Sequence, residues 1–443
     1  MATSRQIEQF ACADCGHHTG KWMGFCAQCR AHGTLEKVIS SPGSAAVVKL
    51  GDVVGVDADR LSTGISEMDR TLGGGFVPGS SIVIGGEPGV GKSTLLLQVA
   101  GAVVGRGKPV LVVSAEESPA QVALRASRVA GSFGGVDVVA TSDVDEIIAL
   151  AEQLRPALVV VDSIQTIATR AVEGMPGGTS QVRECGARLV GFAKRSAIPV
   201  VMIGHVTKEG TLAGPRLLEH IVDVVLYLEG DPHSGLRFVR GLKNRFGSTP
   251  ALGFFEMSDV GLRELPDPTS VLIARREPEV PGKVLFPAIE GRRPVVVEVQ
   301  ALVAASATAQ PRRSVKGIEI ARLHQVLAVL DRHAGIGVAS KDVYVAIVGG
   351  VRVREPAADL AVALAVASSY YEAPVPETAA WGEVGLTGEV RGVAGEGLRR
   401  AEVARLGVES VIAPGRGIEQ MTDALVAGRL VATRPKAAVG SIS

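Results

Sequence analysis

Residues Gly86-Glu87-Pro88-Gly89-Val90-Gly91-Lys92-Ser93 follow the short apolar run Ser80–Gly85 and open directly into the helix-forming run Lys92-Ser93-Thr94-Leu95-Leu96-Leu97. This order of strand, glycine loop and helix constrains the fold more than any other feature. A loop that ends in a helix offers converging backbone N–H groups and the positive end of the helix dipole to one anion. Gly86, Gly89 and Gly91 let those N–H groups turn inward on the β- and γ-phosphates, Lys92 neutralises phosphate charge, and Ser93 brings a hydroxyl for Mg²⁺. Together with Glu87, Pro88, Val90 and Thr94, these residues predict an ATP cradle over 86–94.

Hydrolysis also needs one carboxylate in the metal shell and another to orient water. Leu158-Val159-Val160-Val161-Asp162 is an apolar strand ending in an acid at the sheet edge where such folds bind ligands, so Asp162 is expected to face Ser93. Ser114-Ala115-Glu116-Glu117-Ser118 puts two more carboxylates at a neighbouring strand tip. Glu116 is the favoured water-orienting base, with Glu117 as the alternative or a helix-capping acid. Ser163-Ile164-Gln165-Thr166 and Gly204–Lys208 place further polar groups at strand ends.

At 443 residues the chain is long enough for two or three domains. Short β-branched runs (Ser81–Gly85, Pro109–Ser114, Ala157–Val161, Pro199–Ile203 and Val222–Leu228) alternate with Ala/Leu-rich stretches, which predicts an α/β core with parallel strands over about 47–270. A second α/β portion begins near 281 with Val284–Ile289 and Pro294–Leu302 and continues to 443. Lys plus Arg number 46, as do Asp plus Glu, so no overall basic field points to nucleic acid and any such contact must be local. No apolar stretch reaches the roughly 18–20 residues of a membrane span, and no signal peptide opens the chain, so a cytoplasmic location is expected.

Cys12-Ala13-Asp14-Cys15 and Cys26-Ala27-Gln28-Cys29 form paired Cys-x-x-Cys knuckles in a head, 1–37, too short for a core of its own. Four thiolates at that spacing suit tetrahedral Zn²⁺, with redox-active thiols as the alternative. Trp22 is expected to pack over the site, and His17, His18 and His32 to stand aside.

Lys243-Asn244-Arg245-Phe246-Gly247 places two cations and an aromatic beside a glycine, after Arg237 and Arg240. Lys243 and Arg245 suit phosphate, either a neighbour's ATP across a ring boundary or a DNA backbone, with a solvated basic turn as the plain alternative. The Gly-rich loops 170–181 and 207–216 would line the channel of such a ring, with Lys208 and Arg216 as candidate DNA contacts.

Taken together, the Cys12/Cys15/Cys26/Cys29 ribbon with Trp22, the loop Gly86–Ser93, the Glu116-Glu117-Ser118 tip, the Val161–Thr166 strand end and Lys243–Gly247 resemble the bacterial RadA (Sms) family of DNA repair proteins. The resemblance covers nearly the whole chain. It implies a RecA-like, DnaB-like homo-hexamer that uses ATP to work on single-stranded DNA and branched recombination intermediates, promoting branch migration beside the RecA recombinase.

It also implies that 281–443 is similar to the Lon protease domain. Ala357 stands where that family's Ser nucleophile would be, and Arg399 where its Lys base would be. Arginine does not deprotonate to act as a base, so proteolysis is not expected. The implied role is a scaffold and DNA platform, with Arg312, Arg313, Lys316 and Arg322 as candidate backbone contacts. An ATP-dependent peptidase and an ATP-controlled assembly switch are the competing functions.

Overall fold

A computed structural model describes residues 9–13, 15, 18–19, 22–38, 60–204, 217–230, 235–247, 251–273, 280–291, 293–348, 351–415 and 417–431. Lys208 and Arg216 lie outside the described residues. The chain divides into two compact units, Met1–Gly55 and Val56–Ser443. In the first, β1 (Gln9–Cys12) pairs antiparallel with β2 (His18–Thr19) and β3 (Leu35–Val38).

The second unit contains a nine-stranded sheet. Its strands are β4 (Ser81–Gly86), β5 (Val110–Ser114), β6 (Val136–Ala140), β7 (Leu158–Asp162), β8 (Val200–Ile203), β9 (Val224–Gly230), β10 (Leu236–Asn244), β11 (Leu252–Ser258) and β12 (Gly261–Glu264), in the order β12-β11-β10-β9-β4-β8-β7-β5-β6. From β9 to β6 every pairing is parallel, while β10, β11 and β12 extend the sheet as an antiparallel wing.

Helices α1 (Ser66–Leu72) and α2 (Lys92–Val104) cover one face, where Met68, Leu95, Val99 and Val103 pack on Ile82, Ile84 and Val112. The helices α4 (Val144–Leu154) and α5 (Thr179–Ser196) cover the other, with Ile147, Leu189 and Phe192 against Val83, Leu111 and Val159. Successive strand residues point to opposite faces, so a strand covered on both sides reads as unbroken Val and Ile. Between these pairs in the chain comes α3 (Pro119–Ala126), which starts with a capping box formed by Ser118 and Gln121.

After α6 (Thr269–Leu272) a six-stranded sheet follows in the order β15-β16-β14-β13-β17-β20. Its members are β13 (Lys283–Glu290), β14 (Arg293–Ala305), β15 (Arg313–Lys316), β16 (Lys341–Ile347), β17 (Thr378–Ala380) and β20 (Ser410–Ile412); β18 (Glu383–Val384) and β19 (Val390–Arg391) form a separate ribbon. Helices α7 (Ile320–Ala334), α8 (Asp359–Tyr370), α9 (Glu396–Arg405) and α10 (Met421–Ala427) complete it. The apolar run Leu360–Ala367 of α8 is buried all round, so this helix forms the axis of the second core.

The two sheets share the wing. Leu236, Phe238, Leu252 and Phe254 belong to the second core, while Val239, Phe255 and Leu262 belong to the first. Charges grip the tip of the β13–β14 hairpin on both sides: Arg240 meets Glu290 at 3.0 Å, and Arg293 meets the buried Glu67 at 2.8 Å. The expected core strands are present within two residues of their predicted bounds. The wing was not foreseen, because β10 carries Arg237, Arg240 and Lys243 and does not read as a buried strand.

Candidate functional site

The glycine loop crosses from β4 to α2 where the sequence places it. A Cβ on Gly86 would stand 2.5 Å from the Leu228 carbonyl oxygen, and one on Gly91, at φ 113°, would stand 2.8 Å from Met257 Cε. Only glycine lets the backbone lie this close to its surroundings. No side chain caps the N-terminus of α2, and its first turn holds no acid. That leaves an electropositive helix end facing the loop and fits the cradle to a phosphate chain.

Lys92 is buried and donates Nζ to the carbonyls of Gly86 and Glu87, both at 2.8 Å. Burial pulls its ammonium below the usual lysine range, while Asp162, Glu116 and Glu87 pull it back up. Lys92, Asp162 and Glu116 therefore form one electrostatic group.

Ser93, Asp162, Ser114, Glu117 and Arg125 line one narrow cleft. Ser163 Oγ donates to Glu116 Oε1 at 2.8 Å, whereas Glu117 forms a close ion pair with Arg125, which also lies 3.8 Å from Asp162. Arg125 went unnoticed in the sequence; its signal is its place on α3, eight residues after Glu117, where two helical turns bring it over the strand tips. The hydroxyl and carboxylate set suits Mg²⁺, which prefers oxygen ligands.

Lys243 and Arg245 lie elsewhere. Lys243 Nζ donates to the carbonyls of Glu219 at 2.5 Å and Val222 at 2.8 Å, and Arg245 pairs with Asp223 at 3.2 Å. Asp223 in turn accepts from Ser81 N at 3.0 Å and Ser81 Oγ at 2.7 Å. Ser81 begins β4 and Gly86 ends it, so this cluster lies about 17 Å from the protomer's own phosphate loop, at roughly 3.3 Å per residue. Arg245 remains 48% exposed despite this pair.

The loop 170–178 after β7 is fastened by Gln181, whose amide donates to Thr169 O at 3.1 Å and Val172 O at 2.8 Å and accepts from Thr169 N at 2.9 Å.

In the first unit the four Sγ atoms of Cys12, Cys15, Cys26 and Cys29 lie within 4.8 Å of one another, with Cys12–Cys29 and Cys15–Cys26 both at 3.6 Å. Ligands about 2.3 Å from a tetrahedral ion stand about 3.8 Å apart, so the cluster fits a metal held by four thiolates. Met23 packs against the buried pair Cys12 and Cys26, whereas Trp22 is 63% exposed and does not cover the site as expected. The His32 ring lies tilted against Phe25, with ring centroids 5.9 Å apart.

In the second sheet's domain, Ala357 lies in a short 3-10 turn before α8 and Arg399 is buried on α9. Arg399 pairs closely with Glu355, donates to Pro287 O and lies over the Phe286 ring at 5.5 Å. Asp359 pairs with Arg322, and burial pushes its carboxyl up to about 6. Arg313 donates to Val338 O and Ala339 O, each at 3.0 Å, and Arg312 N donates to Asp342 at 2.8 Å.

This fold and this site define a P-loop ATPase, and residues 46–211 match the family model described as an AAA domain. Over 432 residues the chain is 44% identical to the DNA repair protein RadA of Mycobacterium tuberculosis, covering 94% of this chain and 89% of that one. It is 45% identical to DNA repair protein RadA of Pseudomonas aeruginosa and 41% identical to that of Bacillus subtilis, each alignment covering 94% of both chains. The chain belongs to the RadA family of DNA repair proteins. Among the described residues no helix is long and apolar enough to cross a membrane.

Proposed function

We propose that this chain is a DNA-dependent ATPase that moves along single-stranded DNA and promotes branch migration at recombination intermediates, acting with the RecA recombinase as a homo-hexamer. The observation that carries the reading is that Ser93 and Asp162 line one strand-end cleft while the charges of Asp162 and Glu116 both act on Lys92, in a chain 44% identical to a DNA repair protein. Mg²⁺ bound to ATP would neutralise phosphate charge, with Ser93 and Asp162 holding it. Lys92 binds the phosphate chain, and Glu116, kept apart from Arg125 by the Glu117 pair, orients and deprotonates water.

Lys243 and Arg245 are too far from their own loop to act in cis. Arg245 is half exposed, which suits a cation able to reach a neighbouring protomer's nucleotide or a DNA backbone. Lys208, Arg216, Arg312 and Arg313 serve as DNA contacts of lesser weight, since the Arg313 guanidinium is engaged by backbone carbonyls. The four thiolates hold zinc, and the domains divide the work as ribbon (1–37), motor (47–270) and non-proteolytic platform (281–443).

ATP turnover measured with and without single-stranded DNA tests the reading. Stimulation by DNA, abolished in Lys92→Ala, is expected; equal turnover with and without DNA would remove translocation from the account.

A further inference from the structure

The antiparallel wing closes the outer side of the phosphate loop, and one arginine connects the two. Arg237 on β10 pairs across with Gly230 on β9. A Cβ on Gly230 would stand 2.4 Å from Arg237 Cδ and 2.7 Å from its Nε, so this glycine serves as a gap. Through the gap the side chain lies across β9 and donates Nε to the Val90 carbonyl at 3.1 Å, while Nη1 donates to Leu236 O at 2.9 Å.

Val90 stands between the two positive-φ glycines of the loop, Gly89 and Gly91. In a trans peptide plane the carbonyl and the following N–H point opposite ways. Holding the Val90 carbonyl toward the wing therefore turns the Gly91 N–H away from it, toward the cradle. A glycine loop left to itself samples many orientations, and ordering it costs free energy on binding.

We propose that Arg237 is a positioning residue for nucleotide binding, presetting the Val90–Gly91 peptide before the phosphates arrive. Three residues on, Arg240 ties the same strand to Glu229 at 3.2 Å and to Glu290 of the C-terminal domain at 3.0 Å. The strand that orients the loop is thus anchored in the C-terminal domain. This inference rests on the nucleotide-binding reading.

The test is calorimetric titration of the full chain with adenylyl imidodiphosphate and Mg²⁺, beside steady-state ATP turnover. Arg237→Met is expected to raise Kd about tenfold, equivalent to about 1.4 kcal/mol, and to raise KM with kcat nearly unchanged, as for a loss of uniform binding. Arg237→Lys, which keeps a donor, should recover most of the affinity. Gly230→Ala should reproduce the weak binding with the arginine intact; should that variant fail to fold, the Met and Lys pair decides alone. Wild-type Kd in folded Arg237→Met overturns the proposal, as does a fall in kcat at unchanged Kd. A wild-type chain that binds no analogue defeats the nucleotide reading instead.

Discussion

Ser163 Oγ donates a 2.8 Å hydrogen bond to Glu116 Oε1, across the tips of two adjacent strands. The neighbouring Glu117 is turned aside into its pair with Arg125. The two adjacent acids thus have different partners. Glu116→Gln is expected to lower kcat by about 10²-fold or more, the usual scale for losing a general base. Glu117→Gln should leave kcat near the wild-type value, with a lower melting temperature of the chain. A larger kcat loss in the second variant would reverse the assignment.

The buried Arg399 pairs closely with Glu355, two residues before Ala357. Arg399→Met should destabilise the chain toward the lower part of about 3–5 kcal/mol, the cost of stranding a buried partner, because Glu355 is 26% exposed. Urea unfolding measures it. The double change Ala357→Ser with Arg399→Lys should digest no casein, since a lysine beside Glu355 stays protonated and makes no base. Casein cleavage by that variant would show the pocket still competent.

Burial raises the Asp359 carboxyl to about 6, above its ordinary 3.8. The folded chain therefore holds a proton there that the unfolded chain has lost, so this group's contribution to stability is largest below about pH 4 and falls as pH rises to about 6. Asp359→Asn should flatten that part of the profile of urea midpoint against pH. An identical slope in the variant and the wild type would show that Asp359 does not titrate there.

Four thiolates in a head with so little core imply that folding of this unit and metal binding are one event. Chelation, or Cys26→Ser, should abolish the dispersed amide resonances of residues 9–38. The thermal transition of the second unit should stay in place. Resonances that persist after complete metal removal would show the head to be self-sufficient.

The phosphate loop, Asp162, Glu116 and the four cysteines were legible because each lies within a short contiguous pattern whose spacing dictates geometry. Arg125 and Arg237 were not, since their partners are set by the helix period and by cross-strand pairing rather than by proximity in sequence. The wing escaped notice for a similar reason: Arg237, Arg240 and Lys243 recur every third residue along β10, break the two-residue period, and mask a strand whose other side chains fill two cores. Trp22 was misread because aromatic residues near a metal knuckle need not fold inward, and here Met23 fills that place.

The hairpin tip held by Glu290 and Arg293 bears on what becomes of the ATPase domain without the C-terminal domain. A chain trimmed after residue 273 would leave Leu236, Phe238, Leu252 and Phe254 open to water on one side of a sheet and the carboxylate of Glu67 without its arginine partner Arg293. Such a fragment would be sticky and prone to precipitate. The C-terminal domain would then be indispensable whatever else it does, as the cover that keeps the ATPase domain from clumping.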